Sequence, residues 1–415
     1  MATTSISESR ASGRLRTVIA IALGRLAVWV SRTMLGRSGG VIGGRVLVAL
    51  DSDAAARLAR GHRVVLVSGT NGKSTSTALL VAALAAQRQP ATNADGANTP
   101  AGLSWTVANA SEPDIVLEVD EAWLPWAVRT FGPAAVVLLN LSRDQLHRNP
   151  EVARLAQAWR DAMPSVPLVV ANADDPWVAW AAETGQRRTW VGAGQVWDED
   201  SLICPFCGDF LDRGDGWSCA SCGHTRPAPE WSLRDGAIVA PSGGTVDYAT
   251  LPGANLANAA MALAAAVELG IPPGAAAGSM ARVTDVAGRY GTRRVGNHDV
   301  RLMLAKNPAS WRASMAMIGE GEAAVLLAFN ADGADGRDPS WLYDVDFTAL
   351  RGRPVAVYGA RATDLAVRLA LEKVAIIGQY ADVRSALRQL PPGRVDLLAT
   401  YTAFQQARRE LSRVA

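Results

Sequence analysis

The sequence lacks a strong excess of charge of either sign. Its 41 lysine and arginine residues nearly balance its 39 aspartates and glutamates, which leaves a formal net charge of +2 at pH 7. A protein whose main partner is nucleic acid usually carries a strongly basic surface. The overall charge therefore gives no indication of nucleic-acid binding.

Cysteine is scarce, and its four occurrences all lie between Cys204 and Cys222. No cysteine elsewhere in the chain is available to pair with them. Two disulfides within this window are formally possible, but paired C-x-x-C spacings in a cytosolic protein are more typical of a metal site.

The chain also lacks an uninterrupted apolar run near its N-terminus of the ~20 residues that a membrane-spanning helix needs. Arg25 interrupts the apolar stretch of residues 17–30, which also makes this stretch a poor fit to a signal peptide. Basic residues and a tryptophan accompany the apolar positions: Arg14, Arg16, Arg25, Arg32 and Trp29. The pattern suits a basic amphipathic helix on an anionic membrane surface or a helix packed on the first domain, and both alternatives stay open.

With 415 residues the chain is too long for one core, and its strands and helices alternate. Buried-strand runs lie at residues 63–68, 115–119, 134–139 and 167–172, with helical patterns between them. This alternation predicts a doubly wound, mostly parallel α/β sheet with ligands at the carboxyl ends of its strands. A second α/β unit follows, with strand runs at 323–329, 354–358 and 395–399.

A glycine-rich loop follows the first strand run and opens a helix that we expect over residues 74–86. It reads Gly69-Thr70-Asn71-Gly72-Lys73-Ser74-Thr75, the shorter G-T-x-G-K-S form, since Val67 stands where the longer phosphate-loop pattern needs glycine. Glycines let backbone N–H groups approach phosphate oxygens, and the helix N-terminus favours the anion. Lys73 is expected to bridge the β- and γ-phosphates and Ser74 to ligate Mg²⁺.

Two further polar segments follow strand runs. Glu118, Asp120 and Glu121 can hold Mg²⁺ beside the phosphates, although such acids can equally be solvated loop residues. The segment from Asn140 to Arg148 is a polar loop, in which His147 taken alone is more often structural.

The cysteines form two knuckles, Cys204-x-x-Cys207 and Cys219-x-x-Cys222, each followed by glycine. This spacing lets two thiolates of each knuckle reach one tetrahedral metal, and the glycine permits a tight turn. Four cysteine ligands indicate a closed, structural zinc site, and His224 is a possible substitute ligand that the site does not need.

Taken together and in this order, the motifs of residues 60–340 resemble those of the Mur ligase superfamily. The resemblance implies that Glu118 holds Mg²⁺ and that Asn255 and Asn258 form the helix start that contacts adenine. Gly288-Arg289 and Lys306-Asn307-Pro308 match two further segments of the superfamily, G-R and K-N-P. The implied ATP-binding residues are Gly69, Thr70, Asn71, Gly72, Lys73, Ser74, Thr75, Asn140, Asn255, Asn258, Arg289 and Lys306.

The same resemblance implies a domain organisation. Residues 1–45 form a basic apolar helix or extension, and residues 46–287 form the Mur ligase central phosphate-loop domain. An inserted four-cysteine zinc ribbon occupies about 198–229 of that domain. A C-terminal α/β, Rossmann-like domain covers residues 288–415.

Two positions depart from the superfamily pattern. Gln145 stands where a metal-binding histidine is usual, and His147 stands where the second aspartate is usual, which puts a second metal in doubt. The cell-wall ligases also carry a domain of about 100 residues for a nucleotide sugar before the loop. Here the loop begins at Gly69, so such a domain does not fit.

The missing first domain and the inserted ribbon resemble the branch formed by MurT subunits of lipid II isoglutaminyl synthase. The run from Asn330 to Asp344 resembles that branch's D-G-x-D-x-S-W-x-x-D signature. The resemblance implies ATP-dependent amidation of the D-glutamate α-carboxylate of lipid II to D-isoglutamine through an acyl phosphate, in peptidoglycan synthesis. Lys73 and Glu118 are the implied catalytic residues of this step.

The ammonia source is expected to be a second chain. A glutaminase needs a nucleophilic cysteine with a histidine partner, and all four cysteines here are assigned to the metal. The resemblance implies a GatD-type glutaminase partner whose Cys–His pair an aspartate of this chain supports. Asp338 is our first candidate for that aspartate, and Asp332 and Asp344 are the alternatives. A structural role, as a loop acid that caps a turn, explains Asp338 equally well.

The expected location is the cytoplasm, with a possible peripheral contact at the inner face of the membrane. One alternative function is a folylpolyglutamate-synthase-like or other Mur-type amide ligase, which also lacks the first domain but usually lacks the ribbon. Another is a zinc-ribbon ATPase that acts on nucleic acid. A ribbon of that kind should be basic, yet between Cys204 and Cys222 Arg213 is the one base against three aspartates.

Overall fold

A computed structural model describes six stretches of the chain, namely residues 2–35, 40–144, 151–246, 254–283, 290–319 and 322–412. Side chains are described from residue 15 onward, except at 35, 40, 254–255, 290–291 and 334. Gln145, His147, Arg148, Gly288 and Arg289 lie outside the described residues, as does the expected boundary between residues 287 and 288.

The first sheet has nine strands within the described residues, in the order β2-β3-β1-β4-β5-β6-β7-β8-β9. The strands are β1 Arg63–Ser68, β2 Ala91–Thr92, β3 Asp114–Val119, β4 Ala135–Leu138, β5 Leu168–Asn172, β6 Arg187–Gly192, β7 Trp231–Arg234, β8 Ala237–Val239 and β9 Thr245–Val246. Neighbours from β2 to β7 are parallel, and β7, β8 and β9 are antiparallel. The prediction of a doubly wound, mostly parallel sheet is confirmed.

Helices cover both faces of this sheet, because its strands are apolar on both sides. One core contains buried residues of α3 Ala54–Ala59, α5 Pro100–Asn109, α6 Leu124–Phe131, α7 Val152–Ala162 and α8 Pro176–Ala182. The other contains those of α4 Lys73–Leu84, α9 Ala254–Glu268 and α10 Pro273–Met280.

The second sheet has six strands in the described part of the chain, in the order β10-β11-β15-β12-β13-β14. They are β10 Tyr290–Val295, β11 His298–Leu304, β12 Ala324–Ala328, β13 Val355–Tyr358, β14 Gly378–Tyr380 and β15 Gly393–Ala399. Only β10 pairs antiparallel. Its helices are α11 Pro308–Ile318, α12 Ala362–Leu371, α13 Val383–Leu387 and α14 Tyr401–Ser412. The expected second α/β unit is therefore present.

The N-terminal region consists of α1 (Ala2–Leu35) and α2 (Gly40–Leu50). The sequence pattern predicts one helix over 46–60, but α2 ends at Leu50 and α3 begins at Ala54. Asp51 lies at the break, where its buried carboxylate accepts hydrogen bonds from Thr17 and Arg57. These contacts from outside the segment outweigh the local helical pattern. The helix α2 also spans the expected limit between residues 45 and 46.

The cysteine segment is an insertion between β6 and β7. Its strand-like contacts are isolated bridges, Ile203 with Phe210, and Ser218 with Asp212 and Thr225. Trp217 anchors it by donating its indole N–H to the carbonyl of Ala173 at 2.9 Å, beyond the end of β5. The ribbon thus contacts the first sheet at the carboxyl end of β5.

Candidate active site

The glycine loop lies between β1 and α4, as the sequence predicts. Gly72 has φ of 85°, a left-handed conformation that glycine adopts without steric cost, and it immediately precedes α4. A Cβ at Gly72 would lie 2.3 Å from Oδ1 of Asn258. The loop therefore presents backbone N–H groups and the N-terminus of α4 to an anion, and Thr75 is half-buried in the first turn of that helix.

The loop that follows β4 holds the glycine loop in place. Asn140 accepts a hydrogen bond from the N–H of Asn71 at 3.0 Å and donates its amide to the carbonyl of Asn71 at 2.9 Å. The Thr70 hydroxyl donates to the carbonyl of Ser142 and accepts from its N–H, at 3.1 and 3.0 Å. Four hydrogen bonds thus fix the glycine loop from one side.

Lys73 is buried. Its Nζ lies 2.6 Å from Oε2 of Glu121 and donates to the carbonyls of Gly69 and Thr70 at 2.5 and 3.2 Å. Burial raises the pKa of the Glu121 carboxyl, but the charges of Lys73 and Lys306 and the hydrogen bond from Lys73 outweigh it, so the pKa lies below its usual range. Glu121 is therefore the anionic partner of Lys73, a pairing that the sequence alone did not indicate.

Glu118 ends β3 directly beside Ser74. The Ser74 hydroxyl donates to Oε2 of Glu118 at 2.5 Å, and the Asn98 amide donates to its Oε1 at 3.0 Å. Asn93 fixes the backbone of Glu118 with two hydrogen bonds of 2.9 Å. Hydroxyl and carboxylate oxygens are the ligands that Mg²⁺ prefers, so this pair fits the ion.

Asp120 is the third acid at this strand end. Burial raises the pKa of its carboxyl, and the neighbouring negative charge of Glu121 raises it further. Its Oδ1 accepts from the N–H of Ala122. It therefore caps the turn after β3, whereas Glu118 and Glu121 face the glycine loop.

Asn258 on α9 reaches the same loop from the opposite side. Its Oδ1 accepts a hydrogen bond from the Ser76 hydroxyl at 3.1 Å and lies close to Gly72. The side chain of Asn255 and the whole of Arg289 lie outside the described residues. Asn258 is the member of the expected adenine-contacting pair that the structure brings to the loop.

Residues at the start of α11 contact the glycine-loop region from the second sheet. The Asn307 amide donates to Oδ1 of Asn71 at 3.1 Å, and Lys306 forms an ion pair with Asp144. Asn307 and Ser310 also form a capping box, which fixes the direction of this helix start. The two sheets therefore meet at the phosphate loop.

A cleft of about 510 Å³ lies at this junction. It is lined by Arg143, Asp144, Lys306, Asn307, Pro308, Asp335, Asp338, Ser340, Trp341 and Asp344. The signature segment thus faces the same cleft as Lys306 and the loop after β4.

The acids of the signature segment differ in their surroundings. Asp332 and Asp338 are exposed, and Asp338 accepts from the N–H of Ser340 at 2.9 Å. Asp344 pairs with Arg143 at 3.4 Å. Asp335, the first aspartate of the signature, is buried and accepts from the N–H and hydroxyl of Thr402 at the start of α14.

The four cysteine sulfurs converge. All four Sγ atoms lie within 4.8 Å of one another, with Cys204–Cys222 at 3.6 Å and Cys207–Cys219 at 3.5 Å. Thiolates bound tetrahedrally to zinc at ~2.3 Å lie about 3.8 Å apart, so this set fits the ion. Gly208 and Gly223, which follow the knuckles, have φ of 82° and 76° and make the expected tight turns.

The segment that enters the ribbon also contacts the cleft. Asp200 accepts from the N–H of Arg143 at 2.8 Å and pairs with its guanidinium at 3.0 Å. Arg143 lies over the Trp197 ring, and Arg312 of α11 lies over the same ring and pairs with Asp198 at 3.4 Å. The loop after β4, the ribbon entry and the second sheet therefore share one polar junction, which no sequence motif indicated.

Comparison with known proteins places this geometry in context. Residues 67–196 match the Mur ligase middle domain family, and residues 304–404 match the MurT ligase C-terminal family. The chain is 29% identical over 393 residues to the lipid II isoglutaminyl synthase (glutamine-hydrolyzing) subunit MurT of Staphylococcus aureus (strain N315), covering 87% of this chain and 89% of that one. It is 27% identical to the same-named subunit of Streptococcus pneumoniae (strain ATCC BAA-255 / R6), covering 96% and 97%.

Among solved structures, a pseudomurein peptide ligase type C from Methanothermus fervidus has the same fold. It matches with a TM-score of 0.66 at 18% identity, covering 85% of this chain and 79% of that one.

Proposed function

Because the chain belongs to the MurT branch of the Mur ligase superfamily, we propose that it is the synthase subunit of a glutamine-hydrolysing lipid II isoglutaminyl synthase. Its reaction is a carbon–nitrogen ligation in which ATP activates the α-carboxylate of D-glutamate in lipid II and ammonia replaces one carboxylate oxygen. The observation that supports this proposal most directly is the contact of Asn307 with Asn71. It brings the MurT-type C-terminal domain onto the phosphate loop of the Mur-type central domain.

The proposed reaction has two steps. A carboxylate oxygen attacks the γ-phosphorus of ATP, ADP leaves, and an acyl phosphate forms. Ammonia then attacks the acyl carbon, a proton is lost from nitrogen, and phosphate leaves with the carboxylate oxygen. Phosphorylation is needed because a carboxylate is a poor electrophile that lacks a good leaving group.

The loop residues supply charge stabilisation to the first step. The N–H groups of Gly72, Lys73 and Ser74, at the start of α4, are proposed to bind the phosphates, and Lys73 is proposed to exchange Glu121 for the β- and γ-phosphate oxygens. Ser74 and Glu118 would hold Mg²⁺, which would supply positive charge beside the transferred phosphoryl group.

The remaining ATP contacts are assigned by position in the fold. Thr70, Asn71, Gly72 and Thr75 form the loop and the first turn of α4, and Asn140 holds that loop. Asn255 and Asn258 are proposed to contact adenine, with Arg289 and Lys306 completing the site from the C-terminal side. The pairing of Lys306 with Asp144 supports this placement at the cleft.

A separate glutaminase of the GatD type is the proposed ammonia source. Each cysteine of the chain belongs to the four-sulfur cluster, so the nucleophilic thiol must come from a partner. Asp338 is the proposed support for the partner's Cys–His pair, since its carboxylate is exposed at the cleft. Asp332, which is also exposed, and Asp344, which pairs with Arg143, are the alternatives for this role.

Cys204, Cys207, Cys219 and Cys222 are proposed to hold one structural Zn²⁺. The convergence of four sulfurs at the spacing of a tetrahedral site supports this role. The ion would fix the ribbon, and through Asp200 the ribbon entry fixes Arg143 at the cleft.

We expect the protein to act in the cytoplasm at the inner face of the membrane, where a lipid-linked substrate is accessible. Within the described residues one helical segment, Leu15–Met34, is long and apolar enough to cross a membrane, with a mean hydropathy of 1.3. Helices of soluble proteins and signal sequences meet the same criteria, so this segment does not decide the location.

A reconstitution tests the proposed function. The chain is mixed with the partner glutaminase, ATP, Mg²⁺, glutamine and lipid II, and mass spectrometry follows the replacement of one OH by NH₂ on D-glutamate. Amidation that needs both chains and is lost in Lys73→Ala is expected. If ATP is hydrolysed while lipid II stays unchanged and the glutaminase is active, lipid II is not the substrate. That result would leave the proposed ligase chemistry unaffected.

A further inference from the structure

An apolar stripe runs along the side of α1 that faces away from the protein. The buried side carries Thr17, Ala20, Val28 and Ser31. The opposite side carries large side chains that are between 49% and 79% exposed, namely Leu15, Val18, Ile19, Leu26, Trp29 and Met34. Spacings of three, four and seven residues put all of them except Met34 on one face of the helix, and Met34 lies at the border of that face.

The protein holds this helix flat against its body. A Cβ at Gly24 would lie 2.6 Å from the Trp105 ring and 2.9 Å from the carbonyl of Gly43, so α1 and α2 cross closely over α5. The Thr17 hydroxyl donates to Asp51 at 2.7 Å and accepts from Arg57 at 2.9 Å. If α1 crossed a membrane, these contacts would be lost and Arg25 would be buried among acyl chains. The outward face of α1 can therefore meet a membrane only with the helix parallel to its surface.

The charged residues of α1 from residue 9 onward and of α2 are of one sign. Residues 9–50 contain seven arginines and no aspartate or glutamate. At 100° per residue, Arg16 lies on one flank of the stripe, and Arg25 and Arg32 lie on the other. Arg25 donates to the Asn109 side chain at 3.3 Å, which keeps its guanidinium beside the stripe.

We propose that this face of α1 lies on an anionic lipid bilayer. The apolar stripe enters the boundary between headgroups and acyl chains, and the flanking arginines contact lipid phosphates. A second copy of the chain is a poorer occupant, because it would bring two acid-free, arginine-rich faces together. The inference extends the proposed function, since a lipid-linked substrate is presented at that surface, but the binding itself does not depend on that function.

Vesicle sedimentation tests the surface with the full chain. Vesicles of phosphatidylglycerol and phosphatidylcholine are compared with pure phosphatidylcholine. The expected result is binding to the anionic vesicles that falls at least tenfold in Leu26→Glu/Trp29→Glu and at high salt. Leu371→Glu is the matched control, because Leu371 is also 63% exposed but lies on α12, and it should bind as the unmodified chain does.

Three outcomes would overturn the proposal. They are equal binding to neutral vesicles, unchanged binding in the double variant, and a concentration-dependent dimer in sedimentation velocity that the double variant abolishes. Amidation is measured separately on a lipid-free, water-soluble analogue. The double variant should retain full activity there and lose activity on lipid II in vesicles. Failure of the proposed function removes both activities and leaves the sedimentation result unaffected.

Discussion

Single buried residues decide how the candidate active site is held before nucleotide binds. Lys73 and Glu121 are 5% and 2% exposed, and they form an ion pair at the position where the phosphates are expected. Removing one member of such a pair leaves an uncompensated buried charge, which is strongly destabilising. We therefore expect Glu121 to hold Lys73 in place until phosphate groups of ATP replace it as the partner of Lys73.

Replacing Glu121 by glutamine tests this exchange. We expect the nucleotide-free protein to lose roughly 3 to 5 kcal/mol of unfolding free energy, because Lys73 keeps only carbonyl partners. ATP with Mg²⁺ should then stabilise the variant more than the unmodified protein, as measured by denaturant unfolding. Glu183→Gln, in an exposed pair with Arg160, is the control and should change stability little. Equal stability of Glu121→Gln and the unmodified chain would refute the role of this pair.

Asp175 carries a pH dependence that follows from its position. Burial raises the pKa of its carboxyl to about 6, although the N–H groups of Leu141, Val178 and Trp177 oppose the shift. The folded state then binds the proton more tightly than the unfolded state does. The contribution of Asp175 to stability is therefore greatest below about pH 4 and falls as pH rises through about 6.

The difference in unfolding free energy between the unmodified protein and Asp175→Asn isolates this contribution. We expect the difference to shift against the unmodified protein by up to about 3 kcal/mol between pH 4 and pH 7. Urea unfolding at several pH values measures it. A difference that stays flat across this range would show that the carboxyl titrates normally.

Most strands could be predicted from the sequence, because a strand that is buried on both faces needs apolar residues at nearly every position. Apolar runs such as residues 63–68 and 395–399 are strands buried on both faces, and the structure places β1 and β15 there. The prediction of one helix over 46–60 was wrong. The chain leaves the helical conformation at Asp51, which contacts Thr17, a residue 34 positions away. Local pattern cannot indicate a partner supplied by another helix.

The candidate site was predictable to the same degree. The glycine loop, Glu118 and the cysteine cluster have fixed spacings that the chemistry imposes. The pairing of Glu121 with Lys73 and the junction of Arg143 with Asp200 have no such spacing, because they form where separate strand ends and the ribbon meet. The places of Asn255, Arg289 and His147 stay predictions.

The loop between β1 and α4 needs glycine at position 72 for two separate reasons. One is the left-handed backbone, and the other is the 2.3 Å approach of a Cβ to Asn258. Gly72→Ala should therefore bind ATP at least tenfold more weakly in calorimetric titration, because the loop must move away from α9. Gly96→Ala separates the causes, since Gly96 has φ of 74° but nothing within 4 Å of its Cβ. Similar losses in both variants would mean that the approach to Asn258 is unimportant.

The ribbon should behave as a metal-dependent element. We expect about one zinc ion per chain by atomic absorption, and a lower content in Cys207→Ser, because a structural site needs all four thiolates. Ser221→Ala, beside Cys222 but without a thiol, should keep its zinc. A chain that folds with its ribbon ordered and no metal bound would exclude the zinc assignment.

At the scale of the whole molecule, the two sheets are joined by polar contacts around the cleft. Asn307 reaches Asn71, Arg143 reaches Asp344, and Arg312 reaches Asp198. This arrangement brings the MurT-type signature segment to the edge of the phosphate loop. The activated carboxylate and the arriving ammonia are expected to meet there.

The central claim is that the chain itself forms an acyl phosphate on lipid II. The most direct measurement supplies the purified chain with ATP, Mg²⁺, ammonium and lipid II whose D-glutamate α-carboxylate is labelled with oxygen-18, with no glutaminase present. We expect amidated lipid II together with inorganic phosphate that carries one labelled oxygen, and neither product in Lys73→Ala. Amidated product accompanied by unlabelled phosphate would contradict it.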